Sequence, residues 1–526
     1  MCNCSIRKQV CKTAQSHRAP QGDCGYGPML QIQLINGIIF FNEKNKGLGM
    51  VFSSTTFLFL FLPLLFLLYF IRKDIRWRNG VLLVFSLLFY SVGEPVWVVG
   101  MIVVTLANWA LSLAIHRERQ DSVKKMMLAL AVVISLVLLV WFKYSAFLVN
   151  TVAALAGSQY RMAEQHLPIG ISFYTFQVLT YTVDVYRKKA APQKSFFRTL
   201  LYISCFPQLI AGPIVQYADI ADALSERKST PVAFYKGMRR FVIGLSKKVL
   251  LANLCGQMLE TTQLAGSGAD MSFFGAWFSA LLYAMQLYFD FSAYSDMAIG
   301  LGKIFGFKYK ENFNYPYISA SITEFWRRWH MSLSGFFRDY VYIPLGGNRK
   351  GTGRTILNMA IVWSLTGLWH GASWNFVLWG VYYFILLVVE RFVLGKALER
   401  IPAVIRHAVT ILFVLIGWVI FYYTDFAALT EHFLALFGLS RQNSLHLIPL
   451  WNEKLIFALK QYTVLPLLMA AACLPVLPKL QEWFSKSEKR ERIGNVLASV
   501  AATGLLILSV VFLLGQTYNP FIYFRF

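Results

Sequence analysis

The sequence predicts an all-α membrane protein, a polytopic helical bundle of about eleven spans with re-entrant segments. Of its 526 residues, 57% are hydrophobic and only 14% are charged, and the mean hydropathy is +0.52. Soluble globular domains are less apolar and more charged than this. The cations are also scattered in short segments between apolar stretches, which is typical of the loops of a multi-pass protein.

Apolar stretches long enough to be candidate spans recur along the whole chain. A span requires about 20 apolar residues to cross roughly 30 Å of hydrocarbon. The candidates lie at 51–71, 81–93, 95–115, 126–148, 167–185, 199–215, 239–259, 272–300, 355–370, 374–390, 408–424, 463–478 and 494–515. Several are short, or are interrupted by Pro63, Pro207, Gly212 or Gly367. We therefore expect some of them to be re-entrant pieces, and the number of complete spans to be about eleven, give or take about two.

The distribution of charge predicts the orientation in the membrane. The net charge of +24 is not gathered into a basic domain, so it does not indicate nucleic-acid binding. Lys/Arg-rich short loops lie in the cytoplasm by the positive-inside bias, whereas 156–166 and 261–270 are poor in cations and are expected outside. Because "SEKRER" (487–492) is then inside, the final helix (494–515) runs outward and the C-terminus is extracytoplasmic.

Residues 1–49 differ from the remainder, and we interpret them as a disordered or non-native N-terminal extension before a membrane domain at 50–526. They hold four of the seven cysteines, with no CxxC pair and no histidine at metal-ligand spacing. The stretch "MLQIQLINGIIFF" (29–41) is too short and too polar for a span. We expect no metal site and no disulfide framework.

A histidine lies in an aromatic and cationic segment, "FWRRWHMSLSGFFRDYVYIPLGG" (325–347). On a helix over 322–341, at about 100° per residue, one arc is apolar and His330 lies at its margin. The arc contains Ile322, Phe325, Trp326, Trp329, Leu333, Phe336, Phe337 and Tyr340. Either this is an interfacial helix anchored by Trp and Arg, with an incidental histidine, or His330 meets a polar cavity.

A second histidine, His370, lies near the middle of 35 residues (355–389) that contain no Asp, Glu, Lys or Arg. One straight helix of that length would run about 50 Å, so the chain must break, plausibly at "HGASWN" (370–375). An ionisable group at such depth is a functional hypothesis, and an imidazole can act as a general base. The alternative is that the ring bonds a backbone carbonyl and stabilises the kink.

The two histidine segments, 325–347 and "LTGLWHGASWNFVLWG" (365–380), resemble the paired signature of the membrane-bound O-acyltransferase (MBOAT) family, in its alginate O-acetyltransferase branch. They also resemble the related D-alanyl exporter of teichoic acid modification. The likeness extends over most of the chain from Met50, including 167–187, 206–217 and 286–307.

The resemblance implies a helical bundle around a central tunnel in a bacterial plasma membrane. It implies that His370 is the base which deprotonates the attacking hydroxyl and that His330 is the donor-side histidine. Trp326, Arg328, Arg338, Asp339 and Asn375 become candidates for tunnel-lining or donor-side positions. The implied co-substrate is cytoplasmic acetyl-CoA or an acyl carrier, and no bound cofactor is expected. The implied partners are a separate extracytoplasmic acetyltransferase and a polysaccharide acceptor.

The C-terminal "NPFIYFRF" (519–526) resembles the end of the small one-helix partner of the D-alanyl exporter, so Tyr523 is a candidate acyl relay. A phenol is a poor nucleophile while protonated, its pKa being about 10, and it would need a base such as His370. The alternative is an aromatic anchor at the membrane interface.

Other patterns leave two alternative functions open. Asp290 and Asp296 lie in an apolar stretch, where they could bond backbone or arginines instead of reacting, and there is no GxSxG or HExxH motif. Within the same class, the exported group could be D-alanyl or another short acyl group. A transporter of a small anionic solute is the alternative from another class, although the chain lacks the repeated halves typical of many transporters.

Overall fold

A computed structural model describes residues 50–261, 271–441, 444–515 and 521–522. They belong to one unit, Gly49–Phe526, and the interpretation of residues 1–49 lies outside the described residues. The described chain is mainly helical, as predicted. Its one sheet is a two-stranded antiparallel ladder of β1 (Leu439–Ser440) and β2 (His446–Leu447), in which Leu439 pairs with Leu447.

The N-terminal half consists of long helices joined by short ones. They are α1 (Leu62–Ile71), α2 (Ile75–Gly93), α3 (Trp97–Arg117), α4 (Asp121–Leu139), α5 (Ser145–Leu155), α6 (Ile171–Tyr186), α7 (Phe196–Ser204), α8 (Phe206–Leu209), α9 (Tyr217–Ile220), α10 (Pro231–Ser246), α11 (Asn253–Thr261) and α12 (Phe273–Phe305). Wider π-helical turns at Val140–Tyr144 and Lys247–Ala252 join α4 to α5 and α10 to α11.

The C-terminal half carries both histidine segments. Its helices are α13 (Ile322–Arg328), α14 (Met331–Phe337), α15 (Thr352–His370), α16 (Trp374–Val388), α17 (Ala403–Tyr422), α18 (Phe426–Ala435), α19 (Glu453–Gln461), α20 (Leu465–Ala472), α21 (Val476–Phe484) and α22 (Glu488–Gly515). The predicted break within 355–390 is confirmed, because α15 ends at His370 and α16 begins at Trp374.

Six helices of the described chain are long and apolar enough to cross a membrane alone, and a pair bent by 72°, α19 with α20, brings the number to seven. This is fewer than the eleven spans expected from the apolar stretches. The difference arises where an apolar stretch folds into short pieces, as 199–215 does in α7 and α8, or where a helix is buried inside the protein instead of facing lipid. Buried helices need not be uniformly apolar, since protein side chains satisfy their polar groups.

Helix α12 forms the centre of the bundle, and α10 packs closely along it. Ser272 caps its first turn by accepting a hydrogen bond from the Gly275 amide, and Gly306, at φ 89°, ends it in the left-handed conformation. The close contact with α10 depends on glycine: a Cβ on Gly300 would lie 2.6 Å from the Gly237 carbonyl oxygen. Small residues allow two backbones to approach in this way within a membrane.

Candidate active site

His330 lies at a break between two helices, so the predicted continuous helix over 322–341 is wrong. Helix α13 ends at Arg328, α14 begins at Met331, and His330 has a φ of 44°. The break results from backbone hydrogen bonds with the loop that precedes α13. The Met331 amide donates to the Asn312 carbonyl, and the Asn314 amide donates to the Arg328 carbonyl. The apolar arc was nevertheless predicted correctly, because all of its members except Tyr340 are buried.

The side chain of Asn312 holds the His330 ring. Its Oδ1 accepts hydrogen bonds from the Ser332 amide and hydroxyl, while its Nδ2 donates to the Ser295 hydroxyl. These contacts orient the amide, so the oxygen faces His330 Nδ1 at 3.1 Å. Because that oxygen only accepts, His330 must donate from Nδ1, which leaves the lone pair on Nε2. No hydrogen-bond partner of Nε2 is found within the described part of the chain.

His370 is the last residue of α15, and a lysine from another helix caps this helix end. Lys143 Nζ donates to the Trp369 carbonyl at 2.5 Å and approaches the His370 carbonyl at 3.4 Å. The hydroxyl of Tyr144 donates to the Leu368 carbonyl at 2.8 Å. The final carbonyls of a helix lack partners in their own helix and carry partial negative charge, so a cation there is stabilising. Lys143 and Tyr144 therefore position the turn that carries His370.

Aromatic rings surround both imidazoles. The His330 ring lies 4.7 Å from Phe291 and 5.8 Å from Trp369, centroid to centroid. The His370 ring lies 5.0 Å from both Trp369 and Trp379. Trp369 thus contacts both histidines, and the packed rings restrict their rotation.

One cavity of about 870 Å³ reaches both histidines. Trp326, Trp363 and Thr366 line it beside His330 and His370. His330 is only 1% exposed and His370 7%, and no partner for His370 Nδ1 is found among the described residues. The cavity therefore brings together two imidazoles that are separated by forty residues in the sequence, each with a ring nitrogen that no described side chain or backbone group engages.

The lining of the cavity also carries more positive than negative charge. Four arginines line it, Arg327, Arg338, Arg391 and Arg406, together with Glu390 and Glu399. The Glu390 carboxylate accepts hydrogen bonds from the amides of Ile322 and Thr323, so it caps the first turn of α13. Guanidinium groups bind phosphates and carboxylates well, so an anionic ligand fits this cavity.

Of the other candidate residues predicted from the sequence, some line the cavity and some do not. Trp326 and Arg338 line the cavity, but Arg328, Asp339 and Asn375 do not. Arg328 pairs with Glu324, and the Asn375 amide is buried against the Ile420 and Phe421 carbonyls.

Asp339 is engaged at the surface. Burial raises the pKa of its carboxyl, but hydrogen bonds from Arg338 and Gln216 outweigh this effect and hold the pKa below its usual value. The carboxylate is therefore ionised, and it is paired with Arg338 instead of being free to accept a proton.

Tyr523 lies outside the described residues, but the two residues before it are described. Phe521 and Ile522 are buried within the protein, and the extracytoplasmic position of the C-terminus stays a prediction. Phe521 packs against Tyr294 with ring centroids 5.1 Å apart. The Ile522 amide donates to Asp290 Oδ2 at 2.7 Å, while Asp290 Oδ1 accepts from Lys248 at 2.6 Å. The chain just before Tyr523 is therefore held inside the bundle, against the middle of α12.

The sequence motifs did not point to Asn312, Lys143 or Glu390. Lys143 had a usable signal, since it is a lone cation within the apolar stretch 126–148, where an ionisable residue needs a partner. Asn312 and Glu390 had no such signal in the sequence. Asn312 contacts a residue 18 positions away in the chain, and Glu390 contacts one 68 positions away. Within the described residues no group of three or more His, Cys, Asp or Glu side chains could hold a metal ion.

Comparison with known proteins identifies the class. The model of the membrane-bound O-acyltransferase family matches residues 82–429, more than half of the chain. The chain therefore belongs to this family and is a multi-pass membrane acyltransferase, as its histidine segments predicted.

Several bacterial relatives are similar over most of their length. The probable alginate O-acetylase AlgI of Azotobacter vinelandii is 37% identical over 505 residues, which cover 91% of this chain and 100% of that protein. The peptidoglycan O-acetyltransferase of Helicobacter pylori is 30% identical over 91% of this chain and 98% of its own length. The teichoic acid D-alanyltransferase of Bacillus subtilis is 29% identical over 48% of this chain and 68% of its own length.

Proposed function

We propose that this protein takes an acetyl group from a cytoplasmic thioester, acetyl-CoA or an acyl carrier, and passes it through the membrane for O-acetylation of an extracytoplasmic polysaccharide. A separate extracytoplasmic acetyltransferase completes the transfer. The observation that carries the proposal is the cavity with an excess of arginine that ends on His330 and His370. A polar thioester cannot cross hydrocarbon, so only its small acyl group is expected to pass.

The chemistry assigned to the site is acyl transfer from sulfur to oxygen. His370 accepts the proton of the attacking hydroxyl as the new C–O bond forms. The C–S bond then breaks, and the thiolate leaves with the donor. His330, whose Nδ1 proton is directed to Asn312, presents its Nε2 lone pair to the donor and acts as the second acid/base group. The arginines hold the anionic part of the donor on the cytoplasmic side.

The proposed first acceptor is the hydroxyl of Tyr523. Support comes from the adjacent residues, since the bond between the Ile522 amide and Asp290 holds the chain next to Tyr523 in the protein interior. A phenol ester on Tyr523 would serve as the relay between the donor side and the extracytoplasmic acceptor. Tyr523 would need His370 within hydrogen-bond reach to lose its proton.

The relatives favour acetyl over D-alanyl as the group transferred. Relatives named as O-acetylases or O-acetyltransferases align with nearly the whole chain, whereas the D-alanyltransferase of Bacillus subtilis aligns with less than half of it. Membership of an acyltransferase family also favours covalent chemistry over the transport of an anionic solute.

The test is transfer of labelled acetyl from acetyl-CoA by the purified protein. Wild type is compared with His370→Ala, His330→Ala and Tyr523→Phe, and His446→Ala, an exposed histidine on β2, is the control. We expect His370→Ala to lose at least about 100-fold in rate, the loss typical of a general base, while His446→Ala keeps the wild-type rate. Tyr523→Phe should lose the labelled protein adduct that wild type forms. Wild-type transfer in His370→Ala would reject the proposed mechanism.

A further inference from the structure

A second cavity, distinct from the histidine-lined cavity, lies along α10. Its volume is about 1470 Å³, larger than the roughly 300–1,000 Å³ of an ordinary small-molecule pocket. Its walls come from α10, α12, α20, α21 and α22. None of the residues that line the histidine cavity lines this one.

The cavity has a polar end and an apolar end. Both are seen on the face that α10 and the following π-helical turn present to it. Lys236, Arg240 and Lys247 line the cavity at helical spacing, and Leu250 and Leu254 continue the same face one and two turns later. Cations thus occupy the end that the positive-inside bias assigns to the cytoplasm, and leucines occupy the end within the hydrocarbon. This is the polarity of a membrane lipid lying along the helix.

The polar end has more cations than its carboxylates neutralise. Arg240 pairs with Asp296 at 2.9 Å and also with Glu311, and Lys247 pairs with Asp296 at 2.7 Å.

Lys236, Arg239 and Lys303 also line this end, and no ion pair within the described ranges engages any of the three. Basic groups near a membrane surface attract anionic lipid. The remaining charge therefore favours a phosphate-bearing ligand.

The apolar end of the cavity is lined by aliphatic and aromatic side chains. Leu465 and Leu468 of α20, Leu477 of α21, and Leu508 and Phe512 of α22 form its walls. Helix α22, which forms one wall of the cavity, is apolar and largely exposed, so we expect its outer face to lie against lipid. Apolar walls that face lipid are stabilised by acyl chains, which bury the same surface without ordering water.

We infer that this cavity binds one anionic glycerophospholipid of the cytoplasmic leaflet. The phosphate lies against Lys236, Arg239 and Lys303, and the acyl chains lie between α10 and the leucines of α20, α21 and α22. Asn312 and Met331, which lie next to His330, also line this cavity, but none of the residues that line the histidine cavity does, and the inference does not depend on the proposed acetyl transfer.

The experiment is native mass spectrometry of the full chain in detergent, titrated with dioleoylphosphatidylglycerol or with the zwitterionic dioleoylphosphatidylcholine. We expect one phosphatidylglycerol to be retained with at least about 10-fold higher affinity than phosphatidylcholine, from the surplus charge. Lys236→Gln/Arg239→Gln/Lys303→Gln should abolish this preference. Leu508→Trp, which fills the apolar end and leaves the charges in place, should lower retention of phosphatidylglycerol at least about 3-fold.

The matched control removes three exposed cations from other cytoplasmic segments, Lys73→Gln/Arg76→Gln/Lys125→Gln, and should bind phosphatidylglycerol as wild type does. Equal retention of both lipids by wild type would overturn the inference, as would an equal loss in the control. Displacement of the lipid by glycerol 3-phosphate at equal concentration would indicate a site for free phosphates, and would overturn it too.

Discussion

Each of the two histidines is positioned by a residue that the sequence does not place beside it. His330 is oriented by Asn312 and His370 by the cap that Lys143 provides for α15. The histidines themselves could be selected as candidates from the sequence, because an ionisable side chain in or beside an apolar membrane segment is a functional hypothesis. Their positioning residues were not, since a single sequence does not show which distant polar side chain meets which ring.

Removing the amide of Asn312 should slow catalysis without weakening binding of the donor. In Asn312→Ala the Nδ1 proton of His330 loses its acceptor and the ring loses its fixed tautomer, so we expect kcat to fall about 100-fold with little change in KM. Asn312→Asp keeps an acceptor oxygen and should recover part of that loss. The measurement is steady-state transfer of labelled acetyl, with thermal melting of each variant to check folding.

A purely structural role for Asn312 would give a different result. In that case Asn312→Ala and Asn312→Asp would lose activity in proportion to their loss of melting temperature, and KM would change together with kcat. Equal kcat in wild type and Asn312→Ala would show that the tautomer of His330 is unimportant.

At the level of elements, one predicted helix break was confirmed and one real break was not foreseen. The break after His370 follows from length alone, because a helix over 355–389 would be longer than the membrane is thick. The break at His330 comes from pairing with residues 312–314, a tertiary contact that overrides the amphipathic pattern over 322–341. Periodicity correctly predicted which side chains are buried there, but not the path of the backbone.

The contact between α10 and α12 should not tolerate a methyl group. A Cβ at Gly300 would lie 2.6 Å from the Gly237 carbonyl oxygen and 2.8 Å from the Phe241 amide nitrogen. Both are backbone atoms of a helix, so they cannot move away as a flexible side chain could. We expect Gly300→Ala to lower the free energy of unfolding by about 1–3 kcal/mol, through overpacking. The measurement is the apparent melting temperature in detergent.

Gly504 in α22 is the matched control, because a Cβ there would have no atom within 4 Å. Gly504→Ala gains helix propensity, up to about 1 kcal/mol, and should melt at or above the wild-type temperature. If both variants melted alike, the close approach of the two helices would contribute nothing measurable to stability.

For the molecule as a whole, composition and charge were sufficient to predict a helical membrane protein, but not its number of spans. Hydropathy cannot distinguish a lipid-facing helix from one that is surrounded by other helices, such as α12, whose residues are largely buried although Asp290 and Asp296 lie within it. The burial of Phe521 and Ile522 could not be predicted from the sequence either, since it depends on a hydrogen bond from the Ile522 amide to Asp290.

The orientation of the whole molecule is testable at the mouth of the histidine cavity. Ser334 is exposed and lines that cavity, within a cation-rich segment that the positive-inside bias places in the cytoplasm. Ser158 is exposed in the cation-poor segment 156–166, which is expected outside. In a background in which Cys2, Cys4, Cys11 and Cys24 are replaced by serine, Ser334→Cys should react with a membrane-impermeant thiol reagent in inside-out vesicles only.

Ser158→Cys should show the reverse pattern, reacting only in right-side-out vesicles, while the buried Cys205, Cys255 and Cys473 remain unlabelled. If the arginine-lined cavity receives the acetyl donor, acetyl-CoA should slow labelling of Ser334→Cys and leave labelling of Ser158→Cys unchanged. Labelling of Ser334→Cys in right-side-out vesicles would show that the protein has the opposite orientation in the membrane. It would place the arginines on the side where no cytoplasmic thioester can reach them, and the direction of acyl transfer proposed here would be wrong.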